Sequence, residues 1–237
     1  MHWSEDRQTS TDWGDVPRGR NDGGVSPSIG VTVEPLDGVQ LYANYANALR
    51  LPSIVEAGGT FVEPNPNLKP ERNSSWEIGA NLIKDGVLTD SDSGMLKFGY
   101  FNWDVKDYIA RQTGATNGVL SLKLDNINRA KFSGLELSGR YEVGGFTAEA
   151  NANYYLGVDF CLTADNCANA SLYSDYATNQ VPPEYSIDLT LSQKMFDDRF
   201  TLGGRVLHVG PRAAGHGAIT ATGMMQFISV VSWEPHT

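Results

Sequence analysis

The residues best suited to redox or metal chemistry are two cysteines, Cys161 and Cys167, which lie six positions apart in a polar stretch. No histidine or further cysteine stands near them in the sequence, so the pair lacks the ligands that complete a zinc site. A disulfide that closes a small surface loop is the better interpretation. Because disulfides persist in oxidising compartments, the pair favours a protein exposed outside the cytoplasm.

Among the four histidines, His216 is the one whose setting suggests a ligand contact. It stands in the glycine-containing run 211–217, and a neutral imidazole in such a loop can bind iron or haem. A solvated loop histidine is the simpler interpretation. We therefore keep His216 as a candidate contact and predict no resident metal site.

Motifs that carry catalysis are absent from the sequence. It has no Gly-x-Ser-x-Gly elbow, no His-Glu-x-x-His pair and no phosphate-binding glycine loop. The acidic run at 90–94 lacks the distal glutamate of a calcium loop and predicts a solvated turn. A net charge of -10 without clustered Lys or Arg excludes a nucleic-acid partner. We predict that the protein is not an enzyme.

The elements that must position these residues are β-strands. Apolar and polar residues alternate one by one in segments such as 76–82 and 146–154, which puts every second side chain on one face of a strand. We predict an all-β meander, with residues 1–24 as a polar loop and a break near Asn126–Asn128. The strands are expected at about 28–35, 38–48, 73–84, 94–110, 119–143, 146–158, 183–195 and 198–209, with a partial ninth from about 226.

Two all-β folds fit such strands, a soluble sandwich and an outer-membrane barrel. Short connections alternate with long or moderate ones, as periplasmic turns alternate with extracellular loops in a barrel, and both cysteines fall in a long loop. Aromatic residues near predicted strand ends favour a girdle at the lipid boundary. These aromatics are Tyr42, Tyr45, Trp76, Tyr100, Phe101, Trp103, Tyr108, Tyr141, Phe146, Tyr154, Tyr155, Tyr185, Phe196 and Phe200.

Three stretches, at 41–53, 65–79 and 126–137, resemble the barrel of TonB-dependent outer-membrane receptors, and the similarity covers roughly residues 25–237. The resemblance implies an antiparallel transmembrane β-barrel of about 22 strands, closed by a plug domain. We expect residues 1–237 to be a partial barrel of eight or nine strands, with the plug and the C-terminal strands missing. The absence of a secretory signal pattern at the N-terminus also predicts a fragment.

The resemblance also implies a function, which is TonB-coupled active import of an iron carrier across the outer membrane of a Gram-negative bacterium. Its partners would be outer-membrane lipid, TonB-ExbB-ExbD through the missing plug, and the cargo. Haem, free or delivered by a haemophore or a host haem protein, stands ahead of a ferric siderophore, and either is a transported ligand rather than a cofactor. The alternatives are a siderophore receptor, a secreted β-sandwich that binds carbohydrate, and a passive porin.

Haem receptors of this family carry a box resembling Phe-Arg-Ala-Pro, then a histidine, then Asn-Pro-Asn-Leu. The two boxes have counterparts here, but residues 53–64 contain no histidine, so the ligand position is empty. Proline restricts the backbone, so the second box also suits a purely structural role. The ligand-binding candidates from the resemblance, with His216 added, are Arg50, Pro52, Asn65, Pro66, Asn67, Leu68 and His216. Tyr108, Arg111 and Arg129 are expected near the outer rim.

Overall fold

The computed structural model describes residues 2–6, 20–53, 56, 62–116, 119–167, 181–212 and 224–233, most of them in β-strands. The strands are β1 (His2–Asp6), β2 (Arg20–Gly24), β3 (Ser28–Leu36), β4 (Val39–Arg50), β5 (Val62–Glu63), β6 (Glu71–Asp85), β7 (Ser93–Thr116), β8 (Val119–Val143), β9 (Phe146–Cys161), β10 (Tyr185–Met195), β11 (Phe200–Val209) and β12 (Met224–Trp233). None of the described residues forms a helix of the length and apolar character needed to cross a membrane.

One sheet contains most of the chain, in the order β3-β4-β6-β7-β8-β9-β10-β11-β12, and every neighbouring pair is antiparallel. This confirms the predicted all-β meander. The short strand β5 is an addition, because it pairs in parallel with β8. Residues 2–6 and 20–24 pair as a separate two-stranded sheet, so the prediction of a continuous polar loop over 1–24 is wrong there. The run Arg20–Gly24 lacks the β-branched and aromatic residues that mark a strand in sequence.

The sheet has two unlike ends. At the short-turn end the connections are residues 37–38, 86–92, 144–145 and 196–199, and Gly38, Gly144 and Gly145 adopt the positive φ that tight hairpins require. At the other end the strands are joined by residues 51–70, 117–118, 162–184 and 210–223, and we call this the long-connection end. The two ends alternate as expected from the sequence, but the predicted connection at 111–118 is wrong, because β7 continues to Thr116 and leaves only residues 117–118 before β8.

The register separates an apolar face from a polar face. One cross-strand row consists of Leu41, Ala80, Phe98, Leu137, Ala152 and Ile187, and the next row consists of Gln40, Asn81, Lys97, Ser138, Asn151 and Asp188. The large side chains of the first row stay exposed; Phe98 and Ile187 are 48% and 49% exposed. This exposed face is unlike the core of a sandwich.

The buried core lies at the long-connection end. One cluster consists of Val105, Ala110, Ile127, Ala130, Val158, Phe160 and Val181, and a second consists of Leu68, Ile109 and Leu124.

The predicted break near Asn126–Asn128 corresponds to a local irregularity within continuous strands. Asp107 has a φ of 53°, and Val105 and Tyr108 then pack in one cluster although their spacing would place them on opposite faces.

Candidate functional site

A two-stranded arm projects from the long-connection end. Strand β7 pairs with β6 only as far as Lys106, and β8 pairs with β9 only from Arg129, so residues 107–116 and 119–128 extend beyond both neighbours. The outer edges of such an arm present backbone groups that need partners. Segments that precede β6 and follow β9 supply several of them.

The Asn-Pro-Asn-Leu box fastens its loop to this arm. The Asn65 amide donates to the backbone oxygen of Leu124 at 2.9 Å and to the Asp125 carboxylate at 3.3 Å, and its own oxygen accepts from the Asn67 amide at 3.0 Å. Leu68 is completely buried against Ile109 and Leu124. These two residues are therefore committed to the fold, while Pro66 and Asn67 are exposed at the turn.

Lys69 and Asn126 continue the fastening. The Lys69 amide donates to the Asn126 side-chain oxygen at 2.6 Å, and the Asn126 amide group donates back to the Lys69 carbonyl at 3.0 Å. The same group donates to the Asp107 carbonyl at 2.6 Å, at the point where the arm changes face. One side chain thus serves as the hydrogen-bonding partner of both the loop and the arm.

Arg50 and Glu71 form the charged part of this fastening. The Arg50 Nε and Nη2 donate to the two Glu71 oxygens at 2.6 and 2.7 Å, and Glu71 Oε1 also accepts from the Ile109 amide at 2.8 Å. The remaining Nη1 donates to Glu56 at 2.8 and 3.0 Å. Arg50 is half exposed, but these carboxylates occupy its three nitrogens, so it does not offer a free guanidinium to a ligand. Pro52, two positions after Arg50 in the sequence, is partly buried.

These ion pairs shift the pKa values of Arg50 and Glu56. The hydrogen bond to Glu71 raises the pKa of Arg50 despite its partial burial. Burial raises the pKa of Glu56, but hydrogen bonds from Arg50 and from Ser53 outweigh burial and leave the pKa below its usual value. Both groups are therefore charged across the physiological range.

An aromatic cluster lies at the base of the arm on the polar face. Its rings contact one another at centroid distances of 4.9–6.4 Å. The members are Phe101, Trp103, Tyr108, Phe132, Tyr155 and Phe160. The Phe101 ring lies against Gly134, where a side-chain carbon would meet it at 2.6 Å. Burial, with the negative charge of Glu71, raises the pKa of Tyr108 to about 12, which keeps its phenol protonated.

Nine of the fourteen aromatics predicted for a girdle fall into two groups near the long-connection end. Phe101, Trp103, Tyr108 and Tyr155 belong to the cluster on the polar face rather than to a girdle, because strand periodicity alone does not say which aromatic faces which way at the arm. A second group, Tyr45, Trp76, Tyr100, Tyr154 and Tyr185, forms a band across the apolar face, in cross-strand or diagonal register.

The remaining sequence candidates are dispersed. Cys161 and Cys167 are joined in a disulfide that closes the start of the connection after β9, next to the cluster residue Phe160. Arg129 pairs with Asp104 at 3.0 Å. His216 lies outside the described residues. Glu71 and Asn126, which organise the site, escaped prediction because their roles depend on partners 38 and 57 residues distant.

The comparisons with known proteins agree with this architecture. Residues 2–223 match the family model for a TonB dependent receptor-like β-barrel. The chain is 24% identical over 210 residues to the hemophilin receptor of Acinetobacter baumannii, covering 78% of the chain and 19% of that receptor. It is 28% identical over 222 residues to the hemin receptor of Yersinia enterocolitica, covering 79% of the chain and 30% of that receptor.

Solved structures show the same fold. The Serratia marcescens hemophore receptor HasR, solved as a double mutant with its hemophore HasA and heme, matches with a TM-score of 0.65 and 24% identity over 93% of this chain and 36% of that one. The copper transporter OprC also has a TM-score of 0.65, at 18% identity over 93% of this chain and 33% of that one. The chain spans a fifth to a third of the length of these curated relatives. Its single meander, its two unlike ends and the match over residues 2–223 together show that the chain belongs to the TonB-dependent receptor family, as part of the family's β-barrel.

Proposed function

We propose that these residues form a section of the barrel of an outer-membrane receptor that imports haem, either free or delivered by a haemophore. TonB-ExbB-ExbD would supply the energy through a plug domain. The observation that carries the proposal is that curated relatives named for hemophilin and for hemin align with 78% and 79% of this chain. The family is one of transport receptors, and an import function needs no catalytic residue.

The two faces of the sheet suit this location. The apolar face would meet acyl chains, and the polar face would line the lumen, where Arg140 pairs with Glu149 and Arg205 with Asp188. The aromatic band would mark the outer lipid boundary, because tyrosine and tryptophan rings favour the level of the headgroups. The long-connection end would then face the outside, where oxidising conditions suit the disulfide.

The geometry of the loop assigns different roles to the sequence candidates. Arg50, Asn65 and Leu68 would hold the loop in shape, since their polar groups or side chains are already used within the fold. Exposed Pro66 and Asn67, together with His216, remain the proposed cargo contacts of this group. Phe101 and Phe160 are buried, so the partly exposed rings of the cluster, such as Trp103 and Phe132, would present ring surface toward the lumen near the mouth, which suits a flat conjugated macrocycle.

The proposal is tested with the complete receptor in a strain that lacks haem synthesis and other haem receptors. Growth on free haem or haem-loaded haemophore, lost when TonB is deleted, is the expected result. A titration of the purified receptor with haem, followed at the Soret band, measures direct binding. Failure to grow on either haem source, with the receptor present in the outer membrane, would overturn the haem assignment.

A siderophore receptor is the second candidate. It is favoured by one feature, which is that residues 53–64, between the two boxes, carry no histidine to ligate haem iron. Growth of an iron-starved strain on a ferric siderophore, without any growth of the haem-deficient strain on haem, would support this candidate.

A further inference from the structure

An open apolar hollow lies on the apolar face near the short-turn end. Its volume is about 490 Å³, within the range of small-molecule sites. Two adjacent cross-strand rows form its floor and walls. The first row is Leu82, Leu96, Gly139 and Ala150, and the second is Lys84, Gly94, Tyr141 and Ala148.

The hollow exists because small residues are grouped among large ones. Gly94 and Gly139 have no side chain, and the two alanines contribute only methyl groups, whereas the neighbouring leucines and Tyr141 stand out from the sheet. Three strands contribute these small residues, so the depression is wider than one strand spacing of about 4.8 Å. Its dimensions suit a flexible hydrocarbon chain lying against the sheet.

The rim of the hollow is held in place by the neighbouring turn. The Tyr141 hydroxyl donates to the Asp92 carboxylate at 2.7 Å, and Asp92 also accepts from the amides of Leu88 and Thr89 at 2.9 and 2.8 Å. Val87 packs over Gly94, with a methyl 2.9 Å from where a side-chain carbon would be. A preformed rim reduces the ordering that a ligand must bring about on binding.

Two cationic residues border the hollow, and they differ in pairing: Arg140 is paired with Glu142 and Glu149, and Lys84 stands at the rim. Lys84 is exposed, and no carboxylate of the described residues lies within ion-pair distance of its ammonium group. Its aliphatic stem can lie along the hollow while the ammonium reaches the aqueous boundary. On the far side, Lys84 also borders a polar hollow that contains Glu34 and Asp37. The apolar hollow thus offers hydrocarbon contact and a positive charge at one end.

We infer that the hollow binds an anionic phospholipid of the periplasmic leaflet, with an acyl chain against Gly139 and Ala150 and the phosphate at Lys84. The inference rests on the proposed membrane location, which places the short-turn end at the periplasmic boundary. An acyl chain complements the apolar lining, and the phosphate complements Lys84, which forms no ion pair with another described residue.

The test uses the complete receptor, purified from outer membranes and delipidated in detergent. Native mass spectrometry follows the binding of dioleoylphosphatidylglycerol, with dioleoylglycerol as the neutral comparison. Gly139→Leu fills the hollow, and Leu96 leaves 3.5 Å for the first added carbon, so the backbone needs no distortion. We expect about tenfold weaker binding of both lipids, as losing burial of about two methylene groups predicts.

Lys84→Gln separates charge from shape. We expect about fivefold weaker binding of the phosphatidylglycerol and an unchanged affinity for dioleoylglycerol. Ala43→Leu, a change of the same kind on the apolar face outside the hollow, is the matched control and should leave both affinities unchanged. Wild-type affinity in Gly139→Leu, or an equal loss in the control, would overturn the inference. So would a dimer that Gly139→Leu dissociates, because the occupant would then be a second copy.

The same preparations separate this inference from the proposed function. If the receptor imports haem normally and Gly139→Leu leaves its lipid affinity unchanged, the lipid site alone is overturned. Lipid binding that responds as expected, in a receptor that imports no haem, would support the lipid site and overturn the haem assignment.

Discussion

Glu71 is the residue through which the loop, the arm and the end of β4 are joined. It is 6% exposed, and its two oxygens accept from both Arg50 and the Ile109 amide. Arg50 also donates to Glu56, but only through Nη1. A carboxylate is needed here because a neutral acceptor would leave Glu56 as the sole negative partner of the Arg50 guanidinium among the described residues.

Glu71→Gln tests this role with little change in shape. We expect the variant to lose about 1–3 kcal/mol of local stability, because one charged acceptor of a largely buried network is replaced by a neutral amide. Hydrogen exchange measures the effect at the Ile109 amide, which should exchange faster, while amides at the short-turn end keep their protection. Arg50→Lys, which retains the charge but loses the fork, should show a smaller effect. Equal exchange in wild type and Glu71→Gln would contradict the role.

Asn65 shows why the second sequence box has an asparagine at its first position. Its NH₂ group faces a carbonyl and the Asp125 carboxylate, and its oxygen faces the Asn67 amide, so donor and acceptor are both needed. Aspartate has nearly the same shape but no donor.

We therefore expect Asn65→Asp to release the loop from the arm, at a cost of about 1–3 kcal/mol, since the buried Leu124 carbonyl and the part-buried Asp125 carboxylate would face a third acceptor. Limited proteolysis of the complete receptor should cut within residues 51–70 in the variant and spare the wild type. Asn67→Asp, at the exposed neighbouring position, keeps the loop intact if the explanation is correct. Resistance of Asn65→Asp to the protease would refute it.

At the scale of elements, the turn between β6 and β7 depends on one buried carboxylate. Burial raises the pKa of Asp92, but hydrogen bonds from the Tyr141 hydroxyl and from the amides of Leu88, Thr89 and Val87 outweigh burial. The pKa is therefore about 2, below the ordinary 3.8. The folded pKa is the lower one, so the carboxylate stabilises the turn at every pH above the ordinary value. That contribution is lost as the pH falls from about 4 to about 2.

The expected measurement is hydrogen exchange of the amides in 87–89, corrected for intrinsic rates. Their protection should be constant above pH 5 and should decline between pH 4 and pH 2. Asp92→Asn should lower the protection at neutral pH and abolish its dependence on acid, because the side chain no longer titrates. An acid-dependent decline that persists in Asp92→Asn would assign the effect to another group.

The arm illustrates how elements differ from their sequence pattern. The sequence predicts an uninterrupted strand over 94–110, in which residues of one parity share one face. At Asp107 the φ of 53° breaks that parity, and Tyr108 joins Val105 in the cluster on the polar face. Asp is one of the non-glycine residues that most easily adopt this conformation. The sequence predicts the irregularity near Asn126–Asn128, on the strand that pairs with this part of β7, and not at Asp107 itself.

At the scale of the whole molecule, the sheet is organised by its two faces rather than by a central core. The buried clusters lie at the long-connection end, and the apolar face remains exposed over the described strands. An exposed apolar face of this kind suits the proposed bilayer location, where lipid would cover the apolar side chains.

Phe98→Arg tests the assignment of the faces. Phe98 lies in the central apolar row, and an arginine near the bilayer midplane costs about 2–4 kcal/mol in a transmembrane barrel. We expect the complete receptor with this change to fold poorly into lipid vesicles, as measured by the heat-dependent gel mobility of the barrel. Ser138→Arg, on the neighbouring row of the polar face, should fold like the wild type. Efficient folding of Phe98→Arg would contradict a lipid-facing role.

The sequence alone determined the all-β class, the order of the strands and the parity of the connections. These properties are local: a period of two, turn residues such as Asp37-Gly38 and Gly144-Gly145, and runs without periodicity can all be recognised within a dozen residues. Predicted and observed strands accordingly differ by a few residues at most ends, for example 73–84 against Glu71–Asp85.

Only the tertiary structure decided what the candidate residues do. Asn65 meets Leu124 across 59 positions and Glu71 meets Ile109 across 38, so no local pattern shows that they are used inside the fold. The direction of the aromatic side chains at the arm likewise followed from the change of face at Asp107. Side-chain roles at this end depend on which segments the pairing brings together, and that is a property of the assembled sheet.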